Sequence, residues 1–263
     1  MLRARLATAA VAIPTLLALI FLAPPWGWAL VVIAVAMLGL VEYLWLAFPG
    51  RVAERVLGLA LGAAVIGAAV RAPAPGDLIS GSLSVLIAAG LTYTVVRADF
   101  ERGLADLGLL VIGVLYTGLL LPHFYWLRNL PEGPHWVTFV IAIGMAGDTG
   151  GYFVGHAVGR HKLVPRVSPG KTVEGALGIV AMSLVTGAAA RVILFPSRSW
   201  SEMLILSAVM AVIGQLGDLG ESVMKRTFGA KESGRIFPGH GGVLDRIDSL
   251  LFPVALVYYH VAS

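Results

Sequence analysis

Nine apolar runs, separated by charged residues or by Pro and Gly, divide the chain at roughly residues 6–23, 26–48, 55–70, 78–96, 104–122, 136–155, 174–195, 203–220 and 243–262. Most are about 17–23 residues long, the length of a bilayer-crossing helix, whereas strands of a membrane barrel would be about 9–11 residues with strict alternation. In lipid every backbone N–H and C=O must be paired within the protein, so the runs are predicted to be helices. The third is short, and the sixth and ninth carry ionisable residues. The pattern predicts an all-α polytopic membrane protein of about nine transmembrane helices.

Composition agrees. The chain is 58% hydrophobic and 13% charged, with a mean hydropathy of +0.86. A soluble domain has about 45–50% apolar and about 25% charged residues. There is no cysteine, which excludes disulfides and thiolate zinc sites. A net charge of +4 and a pI near 9.6 raise the question of nucleic acid. The basic residues lie in short loops between apolar runs, which suits anionic head groups and phosphates, so no nucleic-acid partner is expected. With the N-terminus placed in the cytoplasm, 15 of the 19 Lys and Arg fall on the inner side, leaving Arg71, Arg128, Arg191 and Arg198 outside. The first run ends at Pro24-Pro25 with no convincing small-residue cleavage site, so it reads as a retained span rather than a signal peptide.

No linker, low-complexity tract or repeat interrupts the chain. A single membrane domain over 1–263 is expected, with a hydrophobic helical part (1–135) and a part that carries the chemistry (136–263). Glu42, inside the second run, is the exception in the first part. It is expected to face another helix or the interface near Trp45, and less so a substrate.

The densest polar constellation runs from Gly214 to Ser249. Asp218, Asp245 and Asp248 lie within or beside apolar helices, where a carboxylate costs about 2.5–3.5 kcal/mol on insertion scales. Such hard oxygen donors suit Mg²⁺, which keeps water and substrate phosphates in its other positions. Asp245 and Asp248, three residues apart, share one helix face, and Asp218 on the preceding helix can complete the set. Ser222, Lys225, Arg226, Lys231 and Arg235 supply donors and positive charge for a triphosphate and a leaving pyrophosphate. The PGHGG turn, Pro238 to Gly242, offers backbone N–H groups before a helix, with His240 and Gly241 able to meet a phosphate. Taken singly, a basic residue beside a membrane is a topology anchor and a lone Asp pairs with an Arg. Their concentration within about 35 positions points to a site.

A second cluster spans 144–175. Asp148 sits among Gly144, Gly147, Gly150, Gly151 and Gly155. Close helix packing explains glycines but not an aspartate. Arg160, His161, Lys162, Arg166 and Lys171 follow, then Glu174 at the start of the seventh run. SPGKT, Ser168 to Thr172, lacks the first glycine of a phosphate loop and no strand is predicted before it, so that motif is rejected. Two intervening spans return this loop to the face of residues 221–242, so both clusters can form one cytoplasmic site.

The segment Ser222 to Asp248, S-V-M-K-R-T-F-G-A-K-E-S-G-R-I-F-P-G-H-G-G-V-L-D-R-I-D, closely resembles the long signature of phosphatidate cytidylyltransferases, the CDP-diacylglycerol synthases. GDTGGYFVG, GRHKL, SPGKT and EG, within 147–175, resemble that family's second shared region. The specific resemblance covers Ala142 to Ser249. It implies transfer of a cytidylyl group from CTP to phosphatidate, with Asp218, Asp245 and Asp248 as Mg²⁺ ligands and Lys225, Arg226, Lys231 and Arg235 binding phosphates. It further implies that Asp148, Lys171 and Glu174 complete the site, with K⁺ as a second cation. The expected location is the cell (inner) membrane, with the site facing the cytoplasm. Small-residue helix faces are compatible with a homodimer. Two departures stand out: Glu232 where the family usually has Asp after Lys, which leaves Glu232 without an assigned role, and Gly170 where many members have Lys. An ion transporter would place charges near the midplane in inverted repeats. A CDP-alcohol phosphotransferase would need Asp-Gly and Ala-Arg pairs that are missing. A cytidylyltransferase for another lipid phosphate remains the nearest alternative.

Overall fold

The computed structural model describes residues 2–98, 101–234, 236 and 241–263. Each of the nine apolar runs coincides with a helix: α1 Leu2–Leu22, α2 Pro25–Ala47, α3 Val52–Ala69, α4 Gly76–Arg97, α5 Gly103–Gly118, α7 Gly133–Val158, α8 Val173–Ile193, α9 Trp200–Thr227 and α10 Leu244–Ala262. A short helix, α6 His123–Arg128, follows α5. Among the described residues seven segments are long and apolar enough to cross a membrane, the α5–α6 stretch counting as one. The chain is thus a multi-pass helical membrane protein. α10 is outside that set, with Asp245, Arg246 and Asp248 in its first two turns.

Contacts at the helix ends sort them into two layers. At one end the Arg128 Nε donates to the Ile20 carbonyl at 2.7 Å, the Trp28 indole N–H to the Phe124 carbonyl at 3.0 Å, and the Trp126 indole N–H to the Ala72 carbonyl at 3.0 Å. His260 meets Glu202 at that end too, at 3.1 Å. At the other end Arg51 reaches Asp106, with 2.8 Å between Nη1 and Oδ1, and Glu54 at 2.7 Å, while the Tyr93 hydroxyl donates to Glu54 at 2.8 Å. Glu54 and Asp106 are both buried, and the hydrogen-bonded Asp106 carboxylate holds the Arg51 guanidinium above its ordinary pKa.

The second part builds on an antiparallel pair. α7 and α8 pack along most of their length, with Gly150 and Gly178 facing one another across the seam. At the far end from the site, Trp136 of α7 packs on Phe195 with ring centroids 4.1 Å apart.

Two elements differ from the sequence prediction. α9 continues past residue 220 to Thr227, so Ser222, Lys225 and Arg226 are helical rather than in a loop. Hydropathy falls at residue 220 because the helix emerges into polar surroundings, not because it ends. The segment between α7 and α8 is a hairpin, β1 Lys162–Val164 and β2 Ser168–Thr172, pairing Lys162 with Thr172 and Val164 with Ser168. SPGKT is therefore a strand, and a strand does precede it. Neither supplies the glycine-rich curve of a phosphate loop. The two extended segments satisfy each other's backbone, and Lys162 Nζ holds the Pro169 carbonyl at 2.8 Å.

Candidate active site

Asp218, Glu221, Ser222 and Lys225 fall at i, i+3, i+4 and i+7 on α9, so one helix face carries them. α10 lies close against this face because Gly217 has no side chain. A Cβ there would come within 2.5 Å of the Asp248 carbonyl oxygen. The first turns of α10 then present Asp245 and Asp248 beside Asp218.

Asp245 is the most heavily bonded of these carboxylates. Its Oδ1 receives the Lys225 ammonium at 2.5 Å. Its Oδ2 accepts the backbone N–H groups of Ser233 and Gly242, both at 2.8 Å, and lies 2.9 Å from the Ser233 hydroxyl. Gly241 permits this: its φ is +79°, and a Cβ would sit 3.1 Å from the Asp245 carboxyl carbon. Lys225 also ion-pairs with Glu221, which is 1% exposed.

The two sequence clusters meet at Asp218, which forms an ion pair with Lys171 at the end of β2. Asp148 of α7 lies at the junction of three large cavities. The first, about 370 Å³, is faced by Asp148, Asp218, Glu232, Asp245 and Asp248, with Lys225 and Arg246 as its basic side chains. The second, about 360 Å³, extends between α7, α8 and the hairpin and shares Asp148 and Asp218. The third, about 410 Å³, is apolar, lined by residues such as Leu16, Trp28, Val32, Phe124, Ile141 and Leu250, and shares Asp148 and Arg246 with the first.

Asp148, Lys171, Asp218, Lys225, Gly241, Asp245 and Asp248 are therefore brought together around the first two cavities. Others are not. Glu174 turns away: its carboxylate accepts the Arg160 N–H at 3.0 Å and meets the His161 ring at 2.6 Å, holding the entry to the hairpin. Arg226 Nε points to the Val167 carbonyl, 3.4 Å away at the hairpin turn. Lys231 is exposed and Ser222 half-buried, and neither lines the three cavities. Arg235 and His240 lie outside the described residues, as does most of the PGHGG turn.

The sequence prediction assigns no site role to Glu221, Glu232, Ser233 or Arg246. Glu221 carries a signal that spacing alone reveals, a carboxylate one turn from both Asp218 and Lys225. Arg246 reads as a topology anchor because α10 starts there. Only the fold places it between a polar and an apolar chamber.

As they stand, no three His, Cys, Asp or Glu side chains among the described residues gather around one point to hold a metal ion. Asp218 and Asp245 are each turned to a lysine. The donor chemistry nevertheless fits a hard divalent cation. Five carboxylates face the first cavity against two basic side chains, and all the donors are oxygen.

The pattern common to the Cytidylyltransferase family matches residues 3–263. The chain is 37% identical to the phosphatidate cytidylyltransferase of Bacillus subtilis (strain 168) over 174 residues, 65% of this chain and 64% of that protein. It is 38% identical to the enzyme of the same name from Staphylococcus haemolyticus (strain JCSC1435) over 187 residues, 69% and 70% of the two chains. The Staphylococcus aureus (strain COL) protein of that name is 40% identical over 168 residues, 64% and 63%. The aligned stretch thus spans just under two thirds of the Bacillus subtilis protein's length. Because the family pattern runs through the helical first part as well as through the paired acidic and basic side chains of α7 to α10, the chain belongs to the Cytidylyltransferase family.

Proposed function

We propose that the protein transfers the cytidylyl group of CTP to phosphatidate, giving CDP-diacylglycerol and pyrophosphate for phospholipid synthesis. The observation that carries this is the meeting of a charged cavity and an apolar one at Asp148 and Arg246. A water-soluble triphosphate and a two-tailed lipid need different surroundings but must bring their phosphates within bonding distance.

An oxygen of the phosphatidate phosphate attacks the α-phosphorus of CTP in line. The new P–O bond forms as the α–β bridging bond breaks, and pyrophosphate leaves with that electron pair. No covalent enzyme intermediate is needed, so the protein's work is positioning and charge neutralisation. Mg²⁺ held by Asp218, Asp245 and Asp248, with K⁺ as a second cation, would neutralise charge on the triphosphate. Lys171 and Lys225 lie beside those carboxylates and take phosphate oxygens once the carboxylates are otherwise engaged. Arg246, at the mouth of the apolar chamber, suits the lipid phosphate while the acyl chains lie along Trp28, Phe124 and Leu250.

The basic-residue asymmetry supports nine spans in the cell membrane with the N-terminus and the site on the cytoplasmic side. A homodimer, with which the small-residue faces are compatible, would use surfaces other than the α7–α8 glycine seam, which is spent within one chain.

The test is CTP-dependent pyrophosphate release by the full chain in detergent, with and without phosphatidate and Mg²⁺, beside Asp218→Asn. Release that needs both lipid and metal and disappears in the variant is the expected result. No release with phosphatidate from folded protein would reject this substrate in favour of another lipid phosphate.

A further inference from the structure

Glu42 is a carboxylate within the apolar α2, 5% exposed, and far in sequence from every charged residue of the site. Its Oε1 accepts the Val243 N–H at 2.8 Å. Its Oε2 accepts the Leu244 N–H at 3.0 Å and lies 3.0 Å from the Ser233 hydroxyl. It therefore satisfies free N–H groups at the start of α10 and holds the chain both there and at Ser233. The backbone is shaped to admit it: a Cβ on Gly234 or Gly242 would lie 2.7 or 2.5 Å from its carboxyl carbon.

Ser233, itself 5% exposed, is shared. Its backbone N–H holds Asp245 Oδ2, and its hydroxyl lies between Asp245 Oδ2 at 2.9 Å and Glu42 Oε2 at 3.0 Å. One hydroxyl proton serves one acceptor at a time. The carboxylate of α2 thus acts on the same group that fixes the carboxylate facing the cavity.

We infer that Glu42 is a positioning residue that sets the Asp245 carboxylate through Ser233 and the first amides of α10, so the helical first part of the chain belongs to the catalytic apparatus. A helix cap needs one short acceptor such as Ser or Asp. A longer carboxylate, brought from another helix and also bonded to Ser233, does more than cap.

The inference rests on the cytidylyl-transfer reading, and the experiment separates the two. Full-length Glu42→Gln, Ser233→Ala and the double variant are compared with wild type for kcat, for KM towards CTP and phosphatidate, and for hydrogen exchange at residues 242–245. The side-chain amide introduced by Glu42→Gln keeps one acceptor oxygen but places a donor where a carboxylate oxygen stood. Expected is a kcat about tenfold or more lower in each single variant, both KM values within about twofold, and a double variant no slower than the slower single. Faster exchange should be confined to 242–245. Full kcat in Glu42→Gln, multiplicative losses in the double variant, or unchanged exchange would overturn the inference. If Glu42→Gln fails to fold, Ser233→Ala alone decides: it must show the same kcat loss and the same confined exchange. If wild type releases no pyrophosphate, the substrate reading falls and exchange alone decides the role of Glu42.

Discussion

Lys171 at the end of β2 and Asp218 on α9 form an ion pair that joins the two polar clusters of the chain. Their side chains are 25% and 29% exposed, so water screens the pair and its worth to stability is at most about 1 kcal/mol. Its importance lies in what reaches it. Lys171→Met should lower pyrophosphate release about 100-fold, the scale of losing one donor to a developing charge, while moving the melting temperature by less than about 3 °C. The exchanged pair Lys171→Asp with Asp218→Lys rebuilds the attraction with the signs reversed. It should remain inactive; recovered turnover would mean the pair is only a tether.

Asp245 differs from Asp218 in burial and so in stability. The Asp245 and Lys225 side chains are 9% and 13% exposed. Asp245→Asn leaves Lys225 with Glu221 alone and weakens the hold on Ser233 and Gly242, at a cost of about 2–3 kcal/mol. Thermal unfolding in detergent should fall by about 5–10 °C for Asp245→Asn but by no more than about 3 °C for Asp218→Asn. Equal shifts would contradict the difference in burial.

The helices were legible because lipid requires long apolar runs, and the aspartates because carboxylates are costly there. Lys171 beside Asp218 was legible as shared sidedness, since an even number of spans separates them. What the pattern hides is direction around a helix and contact across the chain. Glu174 lies next to the site in sequence, yet faces Arg160 and His161. Glu42 is isolated in sequence, yet reaches Val243 and Ser233. The hairpin was hidden because SPGKT, rich in Pro and Gly, reads as a loop. Its pairing with Lys162–Val164 depends on α7 and α8 holding both ends in place.

Arg246 borders both the charged and the apolar cavities, a placement suited to a lipid phosphate rather than to the nucleotide. Arg246→Met should raise KM for phosphatidate about tenfold, the equivalent of losing one charge-assisted hydrogen bond, with KM for CTP nearly unchanged. Arg246→Lys should recover part of the loss, because it keeps the charge but not the two-pronged geometry. A larger effect on CTP than on lipid in steady-state kinetics would reverse the assignment of the chambers.

Two glycines three residues apart on α9 make opposite predictions. A Cβ on Gly217 would press to 2.5 Å from the Asp248 carbonyl oxygen, a backbone atom that cannot swing aside, whereas a Cβ on Gly220 meets nothing within 4 Å. Gly217→Ala must push α10 away from α9, costing about 1–3 kcal/mol and displacing Asp245 and Asp248 from Asp218. Gly220→Ala gains helix propensity, up to about 1 kcal/mol, and disturbs no contact. Thermal unfolding should therefore fall for the first and rise slightly for the second, with turnover lost only in the first. If both alanines were tolerated alike, the close approach of α10 would not be what sets the separation of the carboxylates.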